Sequence, residues 1–270
     1  LGDPKMRVSL SRLSAAIQVP DHLKLVSQQL TLPMASGRCM IIGQPSFKYP
    51  IAVIPPPPEV APLLAAIRSC DVRPFRIISY VEESGRAFNC SFFNDEAHMR
   101  GWIEWLSDNA LTAGSQFHEC VRSAMPEDEP LPTAETLLFG RGTDVLTDTR
   151  FGEYQVGMSI SFSRQVPLGP DEYAEMCEVA ASREFELRIA RCMEERNVDY
   201  FGRLAMLEDP RAAAERGSPP ALITALRYGS IDDARRGTAV VRERMGVELG
   251  RWFGGGHTSL LGTATQVLEL

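Results

Sequence analysis

Cys90, His98, His118 and Glu119 are the residues whose types could run a reaction. A thiolate attacks an electrophile when a histidine takes its proton and a carboxylate orients the imidazole. Cys90 on a strand, with His98 or His118 near it in space and Glu96 or Glu119 as orienter, would supply that set. Such a thiol needs an exposed, electropositive pocket. Cys90 alternates with Phe88 and Phe92, however, and that pattern turns it towards a core. The catalytic assignment is therefore none, with Cys90, His98, His118 and Glu119 kept as the alternative.

Metal chemistry finds little support. The histidines are His22, His98, His118 and His257, and no H-E-x-x-H spacing occurs. His118-Glu119-Cys120 puts three possible ligands in a row, but neighbours on a helix point to different faces. Asp144 with Asp148, or Asp232 with Asp233, could hold a divalent cation, yet neither follows a D-x-D-x-D pattern. A G-x-S-x-G nucleophile elbow is absent. The lysines are Lys5, Lys24 and Lys48, so a phosphate-cradling or Schiff-base lysine beyond them is excluded. Gly254-Gly255-Gly256 follows a helical pattern instead of opening one, and reads as a helix stop. No cofactor and no metal are expected.

The 270 residues suffice for one large domain or two ordinary ones. A net charge of −7 opposes wholesale binding to nucleic acid or an anionic membrane. No apolar run is long enough to cross a bilayer, so membrane insertion is not expected. Cys39, Cys70, Cys90, Cys120, Cys177 and Cys192 show no C-x-x-C spacing. Free thiols in a reducing intracellular compartment are the expectation, and the even count leaves disulfides open. The chain begins with Leu1, not Met, which suits a processed product or a piece of a polyprotein. A targeting segment before Leu1 stays open.

The elements that must position these residues follow from periodicity. Residues 1–36 read as an arm of weakly patterned short helices. Arg38–Gly43 and Tyr49–Ile54 read as strands, joined by Pro55, Pro56, Pro57 and Pro58 to a helix at Glu59–Cys70. Phe75–Val81 and Arg86–Phe93 form a hairpin, and Asn94 caps a helix running to about Asn109. Gly140–Asp144 reads as a flexible turn. In Glu153–Ser163, Tyr154, Val156, Met158, Ile160 and Phe162 share one face, and Gln155, Gly157, Ser159, Ser161 and Ser163 the other. A long helix is expected over Asp171–Asn197, bending midway or packing on two neighbours. Another is expected from Ser218 to Tyr228, and a last one over 231–253. The tail 254–270 reads as a strand or docking arm.

The order strand, helix, strand, turn, strand, helix over 49–109 is similar to the RNA-recognition motif fold. Gly85-Arg86-Ala87-Phe88, Phe92-Phe93 and Trp102-Ile103-Glu104-Trp105-Leu106 look like that family's third strand and second helix. The resemblance implies a ferredoxin-like sandwich, with alternate third-strand aromatics stacking bases on an open sheet face. The pleat argues otherwise, because pointing Phe88 and Cys90 outward would bury Asn89 and Ser91 at about 1–3 kcal/mol each if unpaired.

The expected fold is α+β: a ferredoxin-like split β-α-β core at 37–165, followed by a helical region at 166–253 and the 254–270 tail. The expected role is a non-catalytic structural or interaction subunit of a larger assembly. A viral capsid or capsid-associated protein is its leading form, and an organellar complex subunit comes next, placing the chain in a virion or an organelle matrix. The alternatives are a hydrolase or transferase with a cysteine–histidine or carboxylate site, and an RNA-binding module. Protein partners, in a homo- or hetero-oligomer, would meet Pro55–Pro58 and the acidic loop of Glu127, Asp128 and Glu129.

Overall fold

A computed structural model of the chain describes residues 38–43, 61–84, 87–110, 118–119, 122, 140–148, 152, 155–163, 166, 168–215, 217, 220–254 and 257–270. The arm at 1–36, the strand expected at 49–54, Pro55–Pro58 and Glu127–Glu129 lie outside them.

Eight strands close an antiparallel barrel. The first half of the chain contributes β1 (Cys39–Gly43), α1 (Ala61–Ser69), β2 (Arg76–Glu82), β3 (Ala87–Phe93), α2 (Glu96–Trp105) and β4 (Gly140–Asp148). The second contributes β5 (Gly157–Ser163), α3 (Pro170–Ala181), α4 (Arg183–Glu194), β6 (Tyr200–Glu208), α5 (Pro210–Glu215), β7 (Leu222–Tyr228), α6 (Ile231–Gly250) and β8 (His257–Glu269). Around the barrel the order is β1-β3-β2-β8-β5-β7-β6-β4. Each half therefore has the same internal order, fourth-first-third-second. Two seams, β2 with β8 and β4 with β6, join the halves.

The expected single split β-α-β core followed by a helical region is corrected by this barrel. Residues 166–253 carry two barrel strands, β6 and β7, and the β5–β7 ladder runs straight across the boundary drawn at 165. Leu222–Tyr228, within the helix expected at 218–228, is a strand. Its apolar run is buried on both faces, so it lost the alternation that marks a strand. Gly140–Asp144 is not a turn but the start of β4. Gly142 serves close packing there, since a Cβ would lie 2.9 Å from the Met206 sulfur. The long helix expected at 171–197 is two helices. Ser182, in an extended conformation, ends α3 and caps α4 by accepting from the Phe185 N–H. Asp95, not Asn94, caps α2.

The barrel interior is filled by side chains, as an eight-stranded closure allows. Met40, Ile42, Ile78, Tyr80, Phe88, Cys90, Phe92, Met158, Ile160, Phe162, Leu204, Met206 and Ile223 form one buried cluster. The outer faces pack on helices. Cys39, Ile41, Ile77 and Phe93 meet Leu64, Ile67, Met99 and Trp102 of α1 and α2. Thus Phe88, Cys90 and Phe92 face away from the helices, and Asn89 and Ser91 lie on the helix side. The polar cost that argued against this pleat is offset by the Ser79 hydroxyl, which donates to Asn89 Oδ1 at 2.6 Å. The face that would stack bases in an RNA-recognition motif is sealed by the second half of the barrel.

Buried charges tie elements together. Glu186 accepts from Arg203 Nε at 2.9 Å and from the Tyr200 hydroxyl at 2.8 Å. Arg203 also donates to the Ala180 carbonyl and lies against the Phe185 ring. Across the β4–β6 seam, both terminal nitrogens of Arg100 on α2 reach the buried Asp209 carboxylate at 3.3 Å. No helix among the described residues is long and apolar enough to cross a membrane.

Candidate ligand groove

The serine face of β5 builds the site. Gly157, Ser159, Ser161 and Ser163 alternate with the interior residues Met158, Ile160 and Phe162, so they point outward beneath α6. Helix α6 starts at Ser230, whose hydroxyl accepts the Asp233 N–H at 3.0 Å. Its first turn sits almost on β5. A Cβ at residue 157 would lie 2.2 Å from the Ser230 carbonyl oxygen, so only glycine fits there. Two turns later the Thr238 hydroxyl lies 3.0 Å from that of Ser159 and donates to the Ala234 carbonyl. These contacts set α6 running in the same direction as β5.

Beyond Thr238 the helix and the sheet part. The space between them is a groove of about 420 Å³. Ser161, Ser163 and Leu226 of the sheet line one side, and Val241, Arg242, Gly246, Leu249 and Gly250 of α6 the other. Phe253 and Gly254 line the far end, where Val166 packs 2.8 Å from the Cβ position of Gly254 and its N–H bonds the Trp252 carbonyl. Two other cavities are smaller, about 260 Å³ beside Tyr200 and about 190 Å³ beside His98.

Two features distinguish the lining. Gly246 and Gly250 lie one turn apart on one stripe, and a Cβ at either would meet nothing within 4 Å. The groove is open there because side chains are missing. Arg242 is the lining's sole charged side chain. The other arginines of α6 are engaged: Arg235 with Asp232 and Glu83, Arg236 with Asp233, Arg244 with Glu195 and Glu243. Arg242 is exposed and makes no ion pair among the described residues. The Ser161 hydroxyl likewise has no hydrogen bond among the described residues.

The structure does not gather the thiol–histidine set. Cys90 is 1% exposed inside the barrel, and burial pushes its thiol well above the usual range. His98 lies on the solvent side of α2, its Nδ1 2.7 Å from Asp95 Oδ2. The His98 N–H, bonded to Asp95 at 2.8 Å, is the main cause that holds that carboxyl below its usual range. Cys90 and His98 thus lie on opposite sides of the sheet. His118 and Glu119 share a short helical piece, with Nδ1 and Oε1 4.0 Å apart. Cys120 lies outside the described residues, as do the proline corner and the acidic loop. Asp144 and Asp148 fall on β4 instead of a loop. Asp232 and Asp233 are engaged by Arg235 and Arg236. No group of three His, Cys, Asp or Glu able to hold a metal occurs among the described residues. Cys39, Cys70, Cys90, Cys177 and Cys192 are free thiols, and burial raises Cys39 to about 12.

The sequence reading missed Arg242, Gly246 and Gly250. A legible signal was present: a glycine in a helix interior, as at Gly246, costs about 1 kcal/mol against alanine, and a second glycine follows four residues later. Spacing of four behind an arginine puts all three on one face.

No protein-family model and no curated protein matches the sequence. Solved structures that resemble this chain do so at low identity. A mutant chlorite dismutase from Candidatus Nitrospira defluvii, in complex with cyanide, is 10% identical with a TM-score of 0.46, covering 88% of this chain and 94% of that one. An anthrone oxidase-like protein is 9% identical with a TM-score of 0.48, covering 87% of this chain and 95% of that one. The closed barrel replaces the split core on which the expectation of a structural or capsid subunit was built, and that expectation is corrected with it.

Proposed function

We propose that this protein binds a small, mainly apolar molecule in the groove beside α6. The observation that carries the reading is the open space at Gly246 and Gly250. A groove of about 420 Å³ falls in the size range of small-molecule sites, about 300–1,000 Å³. Its walls are mostly apolar, with the hydroxyls of Ser161, Ser163 and Thr238 placed to orient an occupant. That composition, apolar surface with a few placed polar groups, is what ligand sites share. Gly246 supports the reading a second time, because a helix interior selected for stability alone would carry alanine there.

The test is fluorescence titration of the full chain with phenylnaphthylamine, a neutral apolar probe. Emission rises on binding to the native chain, and Gly246→Leu, which fills the groove, weakens binding on the order of tenfold, about 1.4 kcal/mol. Circular dichroism of the variant stays unchanged, since a Cβ at 246 meets nothing. Absence of probe binding, or equal binding by Gly246→Leu, overturns the reading.

A further inference from the structure

We infer that the occupant of the groove is an apolar molecule ending in a single carboxylate, with the carboxylate at Arg242 and the apolar body along Gly246, Leu249 and Gly250. This rests on the groove being a ligand site and adds the chemical class of the ligand. Three observations converge. Arg242 is the lining's one charged group and makes no ion pair among the described residues, whereas its neighbours on α6 are each matched to a carboxylate. An unmatched guanidinium beside an apolar groove is complementary to an anionic end group, and its planar fork suits a carboxylate.

The second observation is the arrangement along the groove. Gly157 meets Ser230 and Ser159 meets Thr238, so the next outward residue of β5, Ser161, follows towards Arg242. Its hydroxyl has no hydrogen bond among the described residues and supplies a neutral donor at the same end. Thr238, Ser161 and the cation Arg242 thus fall towards one end, and Leu249, Phe253 and Gly254 towards the other, with Ser163 the next outward residue of β5 on that side. The third is length. At 1.5 Å per residue, Arg242 to Gly250 spans about 12 Å of helix, which suits an extended medium-length body. One cation balances one charge, which favours a monocarboxylate over a phosphate dianion.

Competition against bound phenylnaphthylamine tests the assignment, using decanoate and decanol on the full chain. The native protein prefers decanoate over decanol by about threefold to tenfold, and the preference shrinks as salt rises. In Arg242→Gln the preference disappears. Equal competition by the two compounds in the native protein, or an undiminished preference in Arg242→Gln, overturns the carboxylate assignment while the groove still binds the probe. Failure of the probe to bind, or indifference to Gly246→Leu, overturns the groove itself, so the two failures are told apart.

Discussion

Glu186 is fully buried and holds two partners, the Arg203 guanidinium and the Tyr200 hydroxyl. Burial, and then the charge on Glu186, raise the Tyr200 hydroxyl well above its usual range, so it keeps its proton and donates. The arrangement is high-stakes, because removing one partner strands a charge that water cannot reach. Glu186→Ala leaves Arg203 with the Ala180 carbonyl and the Phe185 ring, and is expected to cost about 3–5 kcal/mol of stability in urea unfolding. A loss below 1 kcal/mol would show that the pair is open to solvent. Neither Glu186 nor Arg203 was legible as buried in the sequence, since single charged residues in an amphipathic pattern read as solvent-facing. Cys90 was different. Its place between Phe88 and Phe92 marked it as internal, and it is. What the pattern could not tell was which side was internal, because both faces of β3 are covered.

At the scale of elements, α6 is a wedge, tight at its start and open at its end. The tight end depends on Gly157, where a Cβ would strike the Ser230 carbonyl. Gly157→Ala is expected to cost about 1–3 kcal/mol, read from the thermal midpoint, because α6 must shift to admit the methyl. A neutral outcome would mean that α6 is free to tilt. The serine face of β5 was legible as a face, through strict alternation with Met158, Ile160 and Phe162. What covers it was not legible, because nothing in the local sequence announces that a helix some 70 residues later will lie across it. β6 and β7 were harder. Ile223 and Leu226 are buried on opposite sides, so hydrophobicity has no period of two, and the prolines before Leu222 imitate a helix start.

For the molecule as a whole, the halves are held by the two seams and by ion pairs that cross between them. Arg100 with Asp209 spans one seam, and Arg76 with Glu269 the other at 2.6 Å. The internal likeness of the halves was hidden from the sequence, because the first joins its last two elements through residues 111–139 and the second does so directly. Acid sensitivity follows from the carboxylates. Asp233 lies below its usual value despite burial, through the Ser230 hydroxyl, the Asp199 N–H and Arg236. Glu248 lies below its usual 4.5 chiefly because Arg188 bonds it. A carboxyl lowered in the folded state stabilises above its unfolded value, and that contribution fades as pH falls through the folded one. The urea midpoint is therefore expected to be level between about pH 7 and 5 and to fall below about pH 4. Glu248→Gln should lower the midpoint at neutral pH and match the native chain in acid. A variant that stays weaker in acid would assign the loss to packing instead.

The closure described for the strands has a consequence for how the chain reaches its shape. β8 is the stave that fits between β2 and β5, pairing Arg76 with Glu269 and Ser163 with His257. The first seam therefore waits for residues almost two hundred positions downstream, a long-range contact that slows folding. Until β8 arrives, β2 presents a bare ladder of N–H and C=O groups, and so does β5. Another copy of the chain carries the strand that fits each of them. Exchange of β8 between two nascent copies would satisfy the same hydrogen bonds as closure within one, so speed of synthesis and crowding of copies decide between monomer and swapped pair.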